Sequence, residues 1–116
     1  MAKFVTTQDQ KWVSAQLAGF HVEECRLWDK DNLFAGLFKL PKGFVFPHHS
    51  HRNWVQIFVL SGRIRVDLDG HDPQSVSAGG YYFVEPGDPH IETVEEDLVA
   101  FIITAENRDA LNEAFL

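Results

Sequence analysis

The fold prediction starts from one stretch of the sequence, Gly43-Phe44-Val45-Phe46-Pro47-His48-His49-Ser50-His51. Successive side chains of a β-strand point to opposite faces, so His49 and His51 are expected to share one face. Two imidazoles at this spacing can bind a single metal ion, because the pleat of the strand already holds them at a suitable separation. His48 lies on the other face, where a surface position or a supporting contact is expected.

The sequence on both sides of this stretch predicts short strands. Turn signals such as Ser61-Gly62 recur about every eight to twelve residues between apolar runs, a pattern typical of an all-β sandwich or barrel. In residues 63–69 apolar and charged side chains alternate strictly, and Asp69-Gly70 then predicts a hairpin turn. The other predicted strands cover residues 22–28, 33–40, 54–60, 81–85 and 98–104. Asn107 is expected to cap a short C-terminal helix, whose one side carries Ala110, Leu111, Ala114 and Phe115.

Composition limits the class of protein. The chain has 116 residues, 45% of them hydrophobic, and is expected to form one domain over residues 1–116. Cys25 is the only cysteine, so no intrachain disulfide can form. The net charge of -7, without a basic cluster, argues against nucleic acid and anionic membranes as partners. We find no signal peptide and no apolar run of about 18 residues, and we expect a cytoplasmic location.

Two further residues are expected beside the paired histidines. Phe58 and Leu60 are apolar and expected to point inward, which places Gln56 on the same inward face. A buried amide without a partner costs about 1–3 kcal/mol, and a metal ion, or water bound to it, would satisfy the amide oxygen. His90 follows the stiff turn Pro86-Gly87-Asp88-Pro89, which could fix an imidazole at the mouth of a strand.

These features resemble the two sequence motifs of the cupin family. The first motif is a glycine, five residues, HxH, three or four residues, a glutamate and a later glycine, and residues 43–62 resemble it. Residues 79–90 resemble the second motif. The resemblance covers about residues 33–104 and implies an all-β, cupin-type barrel (a double-stranded β-helix or jelly roll), often found as a homodimer. It also implies one divalent metal ion, held here by His49, His51, Gln56 and His90.

The sequence departs from the cupin pattern at three positions. Gln56 stands where the first motif has glutamate, Glu85 where the second usually has proline, and Val94 where an asparagine often follows the last histidine. A neutral ligand set leaves the ion its full positive charge and makes it a stronger Lewis acid. Zn, Ni, Mn and Fe(II) all suit such a set, and the sequence does not choose among them.

A similar ligand set occurs in small cupins that linearise unsaturated uronic acids, in some polyketide cyclases and in hydroxynitrile lyases. The resemblance implies non-redox, Lewis-acid chemistry, with a possible relation to sugar acids. The uronate-linearising cupins carry an aspartate on the last barrel strand, whereas residues 98–104 contain no carboxylate. That exact activity is therefore not transferred to this chain.

Three other residues are candidates for catalysis. Glu92 follows His90 by two residues and could act as a general base, or be an exposed acid at a strand edge. One of Tyr81 and Tyr82 is expected to line the pocket, and Tyr82 is the candidate for a catalytic phenol. Arg26 could clamp a substrate carboxylate, or form the commoner surface ion pair with Glu24.

Three functions remain open from the sequence. The preferred one is a small metalloenzyme that activates a carbonyl-, enol- or hydroxyl-bearing small molecule for isomerisation, cyclisation or a lyase reaction. The second is an Fe(II)-dependent dioxygenase, which three neutral histidines would also permit. The third is a non-catalytic sensor or ligand-binding module, because some cupins bind ligands without turning them over.

Overall fold

Antiparallel strands make up most of the chain in the computed structural model, which describes residues 2–114. A 3-10 turn over Thr7–Asp9 precedes the strands, and one short helix, α1 (Ala110–Glu113), follows them. The strands are β1 (Val13–Leu17), β2 (Phe20–Lys30), β3 (Leu33–Leu40), β4 (Val45–His49), β5 (Val55–Leu68), β6 (Gln74–Ser77), β7 (Tyr81–Val84) and β8 (His90–Thr104). The predicted all-β class with a short C-terminal helix is confirmed, and Phe115 lies outside the described residues.

Two long strands, β5 and β8, organise the barrel. They pair along their whole length, from Val55 opposite Thr104 to Leu68 opposite His90. The sheet runs in the order β1-β2-β3-β8-β5-β6, while β4 pairs with β8 and β7 pairs with β5. Each long strand therefore changes its second partner along its length, which folds the sheet over itself into the cupin-type double-stranded β-helix that the resemblance implies.

A bulge replaces the turn that Ser61-Gly62 predicts. The structure continues β5 through this point, with register shifts against β8 on both sides of Ser61. Gly62 has φ of 85°, and a Cβ atom at this position would lie 2.1 Å from the carbonyl oxygen of Asp97. Only glycine fits this combination of backbone angle and close approach, so the turn signal marks a bulge inside a strand.

The inward face of β5 is the opposite of the predicted one. Val55, Ile57 and Val59 are buried, whereas Phe58 is 40% and Leu60 is 52% exposed. The prediction that Phe58 and Leu60 point inward was wrong, because Phe58 packs against other aromatic rings on the outer face of the sheet. The ring of Phe58 lies 4.7 Å from that of Tyr81 and 5.8 Å from that of Phe101, measured between centroids.

The C-terminal segment closes one end of the barrel through a buried arginine. Arg108 is only 1% exposed, and its Nε donates a 2.7 Å hydrogen bond to Oε1 of Glu24, which is fully buried. Its Nη2 donates to the carbonyl oxygen of Gln16 at 2.7 Å. These bonds fasten the segment before α1 to β1 and β2 and allow Leu111 to be buried. No helix among residues 2–114 is long and apolar enough to cross a membrane.

Candidate metal centre

The paired histidines lie at the end of β4 and in the turn after it. His49 and His51 are 5% and 8% exposed, and both line one small cavity inside the barrel. This confirms that they share a face, as the alternation of a strand predicts. His48 points to the other side, where its exposed ring contacts Asp69, so its predicted surface position is also confirmed.

His90 meets this pair from the neighbouring strand. It is the first residue of β8 and lies opposite His49 in the β4–β8 register, with ring centroids 4.1 Å apart. A hydrogen bond connects the turn before His90 to the first motif. The backbone amide of Gly87 donates to the carbonyl of His51 at 2.8 Å. The two motifs therefore converge, and His49, His51 and His90 form what we call the histidine cluster.

Backbone carbonyls fix two rings of the cluster. Nδ1 of His49 lies 2.6 Å from the carbonyl oxygen of Pro47, and Nδ1 of His90 lies 2.8 Å from that of Asp88. A carbonyl oxygen only accepts hydrogen bonds, so each Nδ1 carries its proton and each neutral ring keeps a lone pair on Nε2. This arrangement holds metal-binding histidines in one tautomer and orientation.

Two ring nitrogens of the histidine cluster, in His51 and His90, are buried without the hydrogen bonds that such atoms usually make. One ring nitrogen from each of the three residues lies within 4.8 Å of the other two. Nδ1 of His51 and Nε2 of His90 are buried without a hydrogen-bond partner. Buried polar atoms are nearly always satisfied, so two orphaned imidazole nitrogens facing a shared space fit a cation that is coordinated there.

Glu92 adds a buried carboxylate beside the cluster. Its Oε1 lies 3.2 Å from Nε2 of His90 and 3.5 Å from Nε2 of His49. Its other oxygen accepts a short hydrogen bond from the hydroxyl of Tyr82. The expectation that Glu92 faces inward is confirmed. The Nε2 atoms of His49 and His90 and one oxygen of Glu92 therefore face the same small space. Only a proton or a metal ion between them would stabilise this arrangement.

Burial keeps two of the imidazoles neutral. Burial lowers the pKa of His51 to about 4, with a further contribution from neighbouring His49. Burial also lowers the pKa of His49, although the charge of Glu92 partly opposes this. Neutral imidazole is the form that binds metal ions, so the cluster is ready for coordination at neutral pH without losing protons from these two rings.

Three further pKa shifts occur beside the cluster, at His90, Glu92 and Tyr82. Burial alone would lower the pKa of His90, but the adjacent Glu92 carboxylate outweighs burial and raises this pKa. Burial would raise the pKa of Glu92, but the contacts with His90 and Tyr82 outweigh it and lower this pKa. Burial raises the pKa of Tyr82 far above its usual value. Glu92 is therefore the ionised acid of the site and Tyr82 a neutral hydrogen-bond donor.

Gln56 is not brought to the histidine cluster. Its amide oxygen accepts a 2.9 Å hydrogen bond from Tyr81 on the outer face of the sheet. The inward neighbour is Val55, which lines the cavity and stands where the three-residue form of the motif spacing would place the glutamate. Placing Gln56 among the ligands was wrong because the burial of β5 is set by Val55 and Ile57. The carboxylate that lies beside the histidine cluster is that of Glu92 on β8.

The other two catalytic candidates have different outcomes. Tyr82, rather than the outward Tyr81, reaches the site through its hydroxyl. Arg26 is half-exposed and donates from Nε to Glu24 at 2.6 Å, so it forms the alternative ion pair, away from the cavity. The prediction that Arg26 clamps a substrate was wrong because the buried Glu24 carboxylate, already bound by Arg108, also attracts its guanidinium.

Several solved structures share this architecture. An RmlC-like cupin from Shewanella frigidimarina aligns over 94% of this chain and 95% of its own, with 19% identity and a TM-score of 0.75. KdgF from a Halomonas species aligns over 94% of this chain and 98% of its own, with 20% identity and a TM-score of 0.74. At these identities the similarity shows the fold alone, and both alignments span almost the entire barrel.

Sequence comparisons relate the chain to a curated enzyme and to a family. Dimethylsulfoniopropionate lyase DddQ from Ruegeria pomeroyi is 28% identical over 74 residues, which are 63% of this chain. The match spans only 37% of that relative's length. Residues 1–108 match the family described as the ChrR Cupin-like domain. With nearly the whole chain matched and both motifs converging on one buried cluster, this protein belongs to the family of ChrR cupin-like domains.

Proposed function

We propose that His49, His51 and His90 bind one divalent metal ion, and that the chain is a metal-dependent enzyme of the lyase or isomerase type acting on a small organic acid or carbonyl compound. The observation that carries this proposal is the meeting of imidazole lone pairs with the Glu92 carboxylate in a buried space. Zn, Ni, Mn and Fe are all compatible with imidazole nitrogen and carboxylate oxygen donors.

The proposed chemistry divides between the ion and the chain. When bound, the ion would supply Lewis-acid polarisation of a substrate oxygen, which acidifies the adjacent C–H group. Glu92 would accept that proton at Oε1, while the C–H electron pair delocalises onto the substrate. Tyr82 donates to the other carboxylate oxygen and keeps Glu92 ionised and oriented. General bases placed in this way contribute about 10²- to 10⁴-fold to rates.

The relatives support this reaction class without fixing the substrate. The curated relative is named as a lyase, and its solved structure aligns with 84% of this chain at a TM-score of 0.65. Only 56% of that structure and 37% of the curated sequence are covered, so its substrate is not transferred here. The coarse class, metal-assisted chemistry next to a carboxylate base, is what the site itself supports.

The test combines metal content with proton exchange. The full chain is purified without added metal, analysed for elements, and loaded separately with Zn, Ni, Mn and Fe. Each form is incubated in D₂O with pyruvate and with 3-hydroxypropionate, and deuterium incorporation is followed by NMR. We expect about one equivalent of metal in wild type. With each variant saturated with metal, the metal-dependent exchange should fall about 100-fold in Glu92→Gln but not in Glu96→Gln, a control on the exposed side of β8.

A ligand-binding module is the second candidate, and the small size of the cavity favours it. If metal binds stoichiometrically but no exchange or elimination occurs with any ion, the enzymatic proposal is wrong and the binding function stands. If iron alone supports turnover together with substrate-dependent oxygen consumption, the dioxygenase alternative replaces both. Trace metal in wild type and in His51→Ala alike would contradict every version of the proposal.

A further inference from the structure

One half of the outer surface of the barrel carries hydrophobic side chains where a solvated sheet would carry polar ones. This surface, which we call the aromatic face, consists of the outward residues of β7, of the first half of β5 with the segment before it, and of the second half of β8. Its members are Trp54, Gln56, Phe58, Leu60, Tyr81, Phe83, Val99, Phe101 and Ile103. All but Gln56 are hydrophobic, and none is charged.

The side chains of the aromatic face form one continuous patch. Phe58 packs against the ring of Tyr81 on one side and that of Phe101 on the other. The ring of Trp54 stacks on that of Phe83, with centroids 6.3 Å apart and an angle of 22° between the planes. Gln56, which lies opposite Phe83 and accepts a hydrogen bond from Tyr81, joins these two groups of rings.

The other half of the same two long strands has an ordinary solvated outer surface. There Arg63 and Arg65 of β5 are directed outward, and Nε of Arg63 donates to Glu95 of β8 at 3.2 Å. The hydroxyl of Ser75 on β6 also donates to Glu95, at 2.6 Å. Because both halves belong to the same strands, strand formation alone does not explain the hydrophobic outward residues of the aromatic face. Exposed patches of this kind mark sites where another surface binds.

The exposed area of the aromatic face suits a protein interface. Phe58, Leu60, Tyr81 and Phe83 are 40%, 52%, 45% and 43% exposed. With about 200 Å² for a whole side chain of this size, these four present roughly 350 Å² of surface, and the half-buried members of the face add to it. A stable dimer buries about 800 Å² per subunit, and about two thirds of a homodimer interface is apolar. The aromatic face can therefore supply most of the apolar part of one such interface.

The distribution of charge favours a second copy of this chain as the occupant. A twofold axis places a patch against the same patch of the partner, so a charged residue near the axis would meet a like charge. The net charge of -7 lies entirely outside the aromatic face, which avoids this repulsion. An anionic lipid surface would instead attract basic residues, and an oppositely charged protein would contact acidic ones. The aromatic face contains neither kind of residue.

We propose that two copies of this chain pair through their aromatic faces, sheet against sheet around a twofold axis. Phe58 lies at the centre of the interface, because β5 runs between β7 and β8. The hydroxyl of Tyr81 and the amide oxygen of Gln56 already bond to each other, so this hydrogen bond persists when the face is buried. The inference concerns the outer surface of the barrel and does not depend on the proposed metal site.

The test is sedimentation velocity of the full chain from about 1 to 200 µM. We expect wild type to form a species of twice the 13.2 kDa chain mass. Leu60→Glu and Phe83→Glu each place a charge in both copies of the face and should raise the dissociation constant at least about 100-fold. Val45→Glu, at a position that is 41% exposed on β4 and outside the face, is the matched control and should leave the dissociation constant unchanged.

Salt dependence provides a second measurement. Association of wild type should tighten between about 50 and 500 mM NaCl, because salt screens the repulsion between two acidic chains. An interface held by charge pairs would weaken over the same range, and that result would overturn the inference.

Three other outcomes would also overturn the inference. The first is a wild type that stays monomeric throughout the concentration range. Binding of that monomer to phosphatidylcholine vesicles would assign the face to a lipid surface, and failure to bind would leave it to a different protein. The second is a dimer that Val45→Glu disrupts, and the third is a dimer that both folded face variants retain, because the interface would then lie elsewhere.

A milder variant covers the case in which circular dichroism shows that the glutamate variants do not fold. Phe83→Ser removes one ring without adding a charge, and it should weaken dimerisation at least about fivefold. An unchanged dissociation constant in folded Phe83→Ser would contradict the inference.

Discussion

Glu92→Gln provides the sharpest test of the electrostatics of the site. The substitution keeps the size of the side chain and an oxygen that can accept from Tyr82, but it removes the buried negative charge. Removing one partner of a buried charge interaction costs about 3–5 kcal/mol. Since each 1.4 kcal/mol is tenfold, metal affinity should fall by about 150- to 4,000-fold. Competition with a chromophoric chelator at neutral pH measures this directly.

The metal-free protein should respond differently to the same substitution. Oε1 of Glu92 lies 3.2 Å from Nε2 of His90, and an amide nitrogen in its place could donate to that ring. We therefore expect the free energy of unfolding of metal-free Glu92→Gln to lie within about 1 kcal/mol of wild type. Affinities within fivefold of each other would refute the reasoning. If metal-free Glu92→Gln loses as much free energy of unfolding as it loses in metal-binding free energy, the effect comes from packing rather than from charge.

Three further predictions concern stability, each measured by urea denaturation. Gly62→Ala should destabilise the protein by at least about 2 kcal/mol, because its Cβ would meet the Asp97 carbonyl at positive φ, whereas Gly70→Ala, with open space around its Cβ, should cost less. Arg108→Gln should cost about 3–5 kcal/mol because Glu24 would keep a buried charge without its buried cationic partner; a loss under 1 kcal/mol would contradict this. The pKa of His51 is about 4 when folded and 6.5 when unfolded, so the unfolded chain binds more protons between these values. Metal-free wild type should therefore lose up to about 3 kcal/mol as pH falls from 6.5 to 4, and His51→Gln should show a flatter profile.

Much of the site could be predicted because local rules fix it. The period of two along a strand places His49 and His51 on one face, and a stiff turn presents His90 at the start of the next strand. The same period correctly pairs Glu92 with His90. It fails for Gln56, because alternation divides β5 into two faces without saying which face is inward. Outward Phe58 and Leu60 resemble core residues by composition, and only the folded sheet shows that Phe58 packs against the ring of Tyr81 on the outer face.

The β class, the convergence of the three histidines and the lack of a possible intrachain disulfide could all be predicted, because they follow from strand period, turn chemistry and cysteine count. The contact between Glu92 and Tyr82, and the presence of Leu17 and Leu111 in the lining of the cavity, follow only from the folded arrangement of the strands. Arg108 and Glu24 are 84 residues apart in sequence, and so long a contact leaves no local pattern. Such pairs form because the folded barrel buries both charges together. Burial of either charge without its partner would be strongly unfavourable.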